Sequence, residues 1–230
     1  MWIAGIDGCR SGWICLSLEL KTRDVSARRV ATLDDLDPAL KVVGIDVPIG
    51  LSEKGPRQAD VLARAKLTRL RASSVFPCPI RPALDARCWE EACDITCAHD
   101  GRRVSKQTFA ILSKIREADS LMRGYSPLRD ALHEVHPEVS FAEWKGEPMT
   151  YGKKTASGRE ERASLIQGAF GEGALEKAWS AVRGSGVAHD DVVDAFAVLW
   201  TAERIFRGVA KRLPEAAVAD SYGLPMHIWF

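Results

Sequence analysis

The sequence predicts an α/β fold, a sheet with helices on its faces. Three observations carry that prediction. Two short runs, Ile3-Ala-Gly-Ile-Asp7 and Val42-Val-Gly-Ile-Asp46, are apolar throughout and end alike in a carboxylate, the pattern of strands covered on both faces. Segments of helical periodicity follow them, most clearly Lys106 to Met122 and His189 to about Gly208. The 46% apolar and 27% charged composition is that of a globular chain, and a chain this long hides roughly 70% or more of its unfolded surface. With no repeat, low-complexity stretch or linker, residues 1–230 read as one domain.

The bulk properties exclude some classes of function. A formal net charge of +1 gives no global attraction to nucleic acid or membrane, so affinity for phosphate must come from local patches. No apolar run approaches the ~18 residues of a membrane span. The start shows no basic stretch followed by an apolar one, so the expected location is cytoplasmic. Of the cysteines, only Cys88, Cys93 and Cys97 cluster, with His99 behind them. Their spacing is not that of paired zinc ligands, and reduced thiols are the expectation.

Taken in order, residues 2–7 and 13–18 form a β-hairpin around a turn carrying Gly8 and Gly12. Val25 to Ala31 makes a third strand, and Asp34 and Asp35 stand before a short helical stretch to Leu40. Lys41 to Asp46 is the next strand, ended by Pro48, which cannot continue a central strand. Arg57 to Leu70 has the apolar spacing of a helix. Arg71 to Pro82, with its prolines and its Ser73-Ser74 pair, is a loop. Helices are expected over Trp89 to His99 and Lys106 to Met122. Leu132 to Val135 is a short strand stopped by Pro137, which leaves Glu138 just past a strand end or on the first turn of a helix. Glu160 to Phe170 is a short helix. The last clear helix begins at His189, with Asp190 as its cap and Asp191 and Asp194 on one side of its first turns. The tail to Phe230 is apolar enough to pack back on the domain. The stretch 57–122 is a helical and loop insert whose role, lid, dimer surface or substrate clamp, stays open.

Acids thus stand at four element ends: Asp7, Asp46, Glu138 and the Asp190/Asp191/Asp194 group. Any one of them could be a turn cap or an exposed side chain. Together they suggest an acidic centre, because gathered carboxylates are unfavourable unless cations hold them. Hard oxygen donors suit Mg²⁺ or Mn²⁺. Two such ions are the usual device for attack of water on a phosphodiester.

Five segments resemble signatures of a known family: Gly5-Ile-Asp-Gly-Cys-Arg-Ser-Gly-Trp13, Ile45-Asp-Val-Pro-Ile-Gly-Leu51, Ser73-Ser-Val-Phe-Pro77, His136-Pro-Glu-Val-Ser-Phe141 and His189-Asp-Asp-Val-Val-Asp-Ala-Phe196. They resemble the domain-of-unknown-function 429 family of RNase H-like nucleases, related to the RuvC and YqgF resolvase-like proteins. The resemblance implies an RNase H-like fold, a mixed five-stranded sheet flanked by helices, and divalent metal in an acidic centre. It implies that Asp7 is the first-strand aspartate that bridges metals. Asp46 falls where resolvase-like members keep an acid, and Asp191 and Asp194 fall on the acidic end of the C-terminal helix. Glu138 belongs to the family's His-Pro-Glu motif, as a metal ligand or as a group behind the ligands.

A nuclease also needs cations for the phosphate backbone. Arg10, in the turn beside Asp7, and Arg71, in the loop with Ser73 and Ser74, are the first candidates, with Lys154 from the polar stretch 153–162. Other basic groups are Arg57, Arg64, Arg69 and Arg81, and Arg102, Arg103 and Lys106. Most such groups on helices are solvated faces. His136 and His189 each adjoin an acid, and a metal ligand, a proton shuttle or a structural histidine are all open. The leading expectation is a Mg²⁺- or Mn²⁺-dependent nuclease acting on DNA or RNA, with homo-oligomerisation open. The alternatives are a phosphotransferase or ATPase of the actin-like fold, which needs two such cores, and a non-catalytic binding protein that keeps the fold.

Overall fold

The computed structural model describes all residues from Met1 to Phe230. Strands β1 (Trp2–Cys9) and β2 (Gly12–Glu19) pair antiparallel in full register from Trp2↔Glu19 to Cys9↔Gly12, so the turn is Arg10-Ser11. The first strand therefore runs two residues beyond the expected end at Asp7. β3 (Val25–Val30) adds antiparallel to β2, while β4 (Val43–Ile45) and β5 (Leu132–Glu134) add parallel on the other side of β1. The order β3-β2-β1-β4-β5 is a mixed five-stranded sheet flanked by helices.

Between β4 and β5 lie α1 (Gln58–Lys66), α2 (Thr68–Arg71), α3 (Trp89–Asp100), α4 (Lys106–Ala110) and α5 (Leu112–Arg123). The helix expected over 57–70 breaks at Leu67, before Thr68 with its φ of 56°. The one expected over 106–122 breaks at Ile111. In place of the helix expected up to Leu40 there is only a short 3-10 turn, Leu33–Asp35. After β5 come α6 (Pro137–Lys145), α7 (Ala156–Phe170), α8 (Ala174–Val182) and α9 (His189–Phe206). The pattern Leu175, Ala178, Val182, buried in α8, marks a helix beyond those expected. The tail packs back through β6 (Arg212–Leu213) and β7 (Ile228–Trp229), with Ile228 and Phe230 buried. No helix is long and apolar enough to cross a membrane.

Alternation along the strands sorts the core onto the two faces of the sheet. Ala4, Ile6, Val43 and Ile45 join Leu112, Ile115 and Ala118 of α5. Ile3, Cys9, Ile14 and Leu16 join Phe141 of α6, Ile166 of α7, Leu175 of α8 and the long stripe of α9. The closest packing is α9 on the second face. Gly5 and Gly44 are paired across β1 and β4. A Cβ on Gly5 would lie 2.2 Å from Leu199 N and 2.6 Å from Ala195 O, and one on Gly44 would lie 2.7 Å from Val198 Cγ1. Only glycine lets the helix backbone settle this close to the strands.

Candidate functional site

That close packing assembles the acids. The strand period of two puts Asp7 on the same face as Gly5, and Asp46 on the same face as Gly44. The helix period puts Asp191 one turn before Ala195 and Asp194 one turn before Val198, the residues that meet the two glycines. The parallel ladder of β1 and β4 ends at Ile6↔Ile45, and the Asp46 N–H donates to Ile6 O at 3.1 Å. Asp7 and Asp46 therefore stand side by side just past the last rung, below the start of α9. The Gly-Ile-Asp ending shared by the two strands is a packing glycine followed two residues later by an acid.

The electrostatics follow from this crowding. Asp7 and Asp194 are buried and Asp46 is partly exposed. Burial, and then Asp46, Asp194 and Asp191, push the Asp7 carboxyl well above the ordinary carboxylate range, against the Gly8 N–H that it accepts at 2.7 Å. Burial and the Asp194 charge raise Asp46 to about 8, with Lys153 opposing. No hydrogen-bond donor of the protein acts on the Asp46 carboxylate. Asp194 is raised by burial and pulled back by Lys153, whose Nζ donates to its Oδ2 at 2.6 Å. Burial would depress Lys153, but Asp194, Asp7 and Asp46 hold its ammonium above the ordinary lysine range. Asp191 accepts the Ala188 N–H at 2.8 Å, so Asp191, rather than the expected Asp190, secures the start of α9.

Glu138 is placed on the first turn of α6, where Arg162 reaches both of its oxygens at 2.9 Å and Arg71 reaches Oε1 at 2.6 Å. Its charge is already matched by two guanidinium groups, which makes it a junction between α6, α7 and the Ser73-Ser74 loop. Arg162 is 1% exposed, and nothing in its polar surroundings in the sequence announces that.

A cleft of about 550 Å³ opens over this centre. Asp7, Asp46, Glu138, Asp194 and Lys153 line it, together with Arg10, Arg71, Ser73, Ser74 and His136. The insert supplies one side through Arg71 to Phe76 and through Ala110, Ile111 and Lys114. Lys154 does not line the cleft and is exposed; its neighbour Lys153 is the lysine brought to the acids. Gly8 accommodates the Lys114 stem, because a Cβ there would lie 2.7 Å from Lys114 Cδ. The Lys114 ammonium sits 4.2 Å from the Trp13 ring centroid and is lowered by burial. A separate depression of about 630 Å³, between Leu33, Arg116 and Tyr125, shares none of these residues.

Most other basic candidates are consumed structurally. Arg57 is 2% exposed and bound to Glu134 and Asp60. Arg81 pairs with Asp119 and Asp220, and Arg102 with Asp100. Arg103 and Lys106 lie over Trp89. His136 Nε2 is 3.3 Å from Ser74 O, and burial lowers its pKa. His189 packs edge-on to Trp179 and lies outside the cleft lining. The cysteines do not converge: Cys88 Sγ accepts from Glu91 N at the start of α3, Cys93 is in the core and Cys97 is exposed.

No three His, Cys, Asp or Glu side chains are arranged as a ready-made metal-binding group. The donor chemistry around the cleft nevertheless fits a hard cation: carboxylate oxygens, buried at Asp7 and Asp194 and open to the cleft at Asp46, which lacks any protein donor. Residues 5–219 match the family described as "Protein of unknown function (DUF429)". No curated protein and no solved structure matches the chain.

Proposed function

The chain belongs to the DUF429 family, whose description assigns no activity, and from the site itself we propose that it is a divalent-metal-dependent nuclease of RNase H-like fold. The observation that carries this reading is the meeting of Asp7, Asp46 and Asp194 in one cleft, where the Lys153 ammonium is the one side-chain cation bonded to any of the three. Asp7, Asp46 and Asp194, with Asp191 beside them, would hold Mg²⁺ or Mn²⁺. When bound, such an ion supplies a water acidic enough to attack phosphorus and a positive charge for the oxygens around it. The chain's own groups do the rest. Arg10, exposed at the hairpin turn, and Arg71, braced by Glu138, present cations to a phosphodiester backbone. Ser73 and Ser74 offer hydroxyl donors on the same side, in a loop held by His136.

The test is hydrolysis of single-stranded and structured DNA and RNA by the purified protein with Mg²⁺ or Mn²⁺. Cleavage is expected, lost with a chelator and lost in Asp7→Asn; cleavage that survives Asp7→Asn would sink the reading. A second reading, a non-catalytic binding protein, is favoured by two observations: Lys153 already occupies Asp194, and no three ligands are prearranged. Isothermal titration separates the two, since that protein would take up no divalent ion.

A further inference from the structure

We propose that Lys153 is the resident second cation of the acidic centre, so that the site takes one divalent ion rather than two. This rests on the metal-centre reading above and changes its stoichiometry.

The geometry that supports it lies in the loop that presents Lys153. The side chain does not reach the acids from a flexible arm. Thr155 accepts the Gly158 N–H at 3.0 Å, and its hydroxyl and its N–H both donate to Gly152 O, at 2.8 and 2.9 Å. That double closure locks the turn on either side of Lys153. Gly158 is required by it, because a Cβ there would lie 2.0 Å from Gly152 O. Arg162 pins the same loop to the body by donating to Tyr151 O and Gly158 O while holding Glu138. The result is a lysine with its ammonium 2.6 Å from Asp194 and its side chain still 41% exposed to the cleft.

The charges agree with that stoichiometry. With their carboxyls ionised, as an ion-bound centre requires, Asp7, Asp46 and Asp194 together with Lys153 leave two negative charges, which one divalent ion balances. Of the other acids in the lining, Glu138 is matched by Arg71 and Arg162, and Glu134 and Asp60 are held by Arg57; Asp191 lies outside the lining and accepts the Ala188 N–H. A second divalent ion would have to displace an ammonium that is held in place by its own loop. In this arrangement Asp7 and Asp46 would hold the ion, and Lys153, tethered by Asp194, would supply the second positive charge to a phosphate bound in the cleft.

The test is titration of the full chain with Mn²⁺, read by calorimetry and by the Mn²⁺ electron paramagnetic resonance signal. One ion is expected for the wild type and for Lys153→Arg, and two for Lys153→Met and Lys153→Gln, with circular dichroism confirming that the variants are folded. Two ions in the wild type, or one ion in Lys153→Met and Lys153→Gln, would overturn the role of Lys153 and leave the metal centre standing. No ion bound by any of these proteins would overturn the metal centre itself, and this proposal with it.

Discussion

Two clusters of buried charge border the same cleft from the ends of neighbouring strands, and they are built to opposite specifications. Ile45 is paired with Glu134, so Glu134 points to one face while Asp46, the residue just past the end of β4, points to the other. Glu134 is fully served. Arg57 donates to both of its oxygens, at 2.8 and 2.7 Å, and Ile49 N–H donates at 2.7 Å. Arg57 in turn satisfies Asp60, Ile49 O and Gly50 O. Burial pushes the Glu134 carboxyl up and Arg57 pulls it back. On the other face Asp46 has no donor and Asp7 has one backbone N–H. A buried charge with its partners in place holds loops together. A group of charges left short of partners destabilises the empty protein and is a candidate for binding something.

The comparison can be broken at either end. The largest effect is expected at Asp7→Asn, with a loss of cleavage of about a thousandfold, ~4 kcal/mol of barrier. The same substitution should raise the melting temperature of the metal-free protein, because it removes a charge that its neighbours repel. Arg57→Met should do the reverse: it strands Glu134 and Asp60 and costs about 3–5 kcal/mol of stability, read by urea unfolding. If Asp7→Asn destabilises as much as Arg57→Met, the two clusters are of one kind and the contrast fails.

Gly5→Ala tests how the acids are gathered. Its Cβ would run into the α9 backbone at 2.2 Å, and about 3 kcal/mol of stability should be lost. The loss should come with weaker Mn²⁺ binding, since Asp191 and Asp194 move with the helix; unchanged metal affinity in a destabilised variant would separate packing from the site. A smaller effect comes from the ligand. Mg²⁺ at a hundred times its Kd should stabilise the wild type by about 2.7 kcal/mol and leave Asp46→Asn less stabilised.

The pH dependence without metal reads the same contrast through protons. Asp46 has a folded pKa of about 8 against 3.8 as an unperturbed group, so between those values the folded chain holds a proton that the unfolded chain has released. Stability should therefore rise as pH falls from about 8 towards 4. At lower pH the trend should reverse, because Glu203 and Asp220, held low by Arg23 and by backbone N–H groups and Arg81 despite burial, lose their ion pairs. Saturating Mg²⁺ should flatten the upper limb.

The legible part of the molecule was the part written in short range. The strands, the hairpin, the last helix and the acids at element ends follow from runs of apolar residues and where they stop. What did not follow depends on pairing over distance. Gly5 and Gly44 look like ordinary strand interruptions until register places them under α9. Arg57 reads as a solvated helix residue because Glu134, its main partner, lies 77 positions away. Glu138 reads as a free acid because Arg162 comes from another helix. Lys153 and Lys154 are indistinguishable in sequence, and only the turn closed by Thr155 selects the first. Leu175, Ala178 and Val182 did carry a helical signal, which the flanking glycines of that stretch obscured.

The most direct test of the central claim is anomalous diffraction from a crystal soaked in Mn²⁺. The account predicts a peak at the carboxylates of Asp7 and Asp46, beside Lys153 and Asp194, and none at the Glu134–Arg57–Asp60 cluster. No peak in the cleft would contradict it.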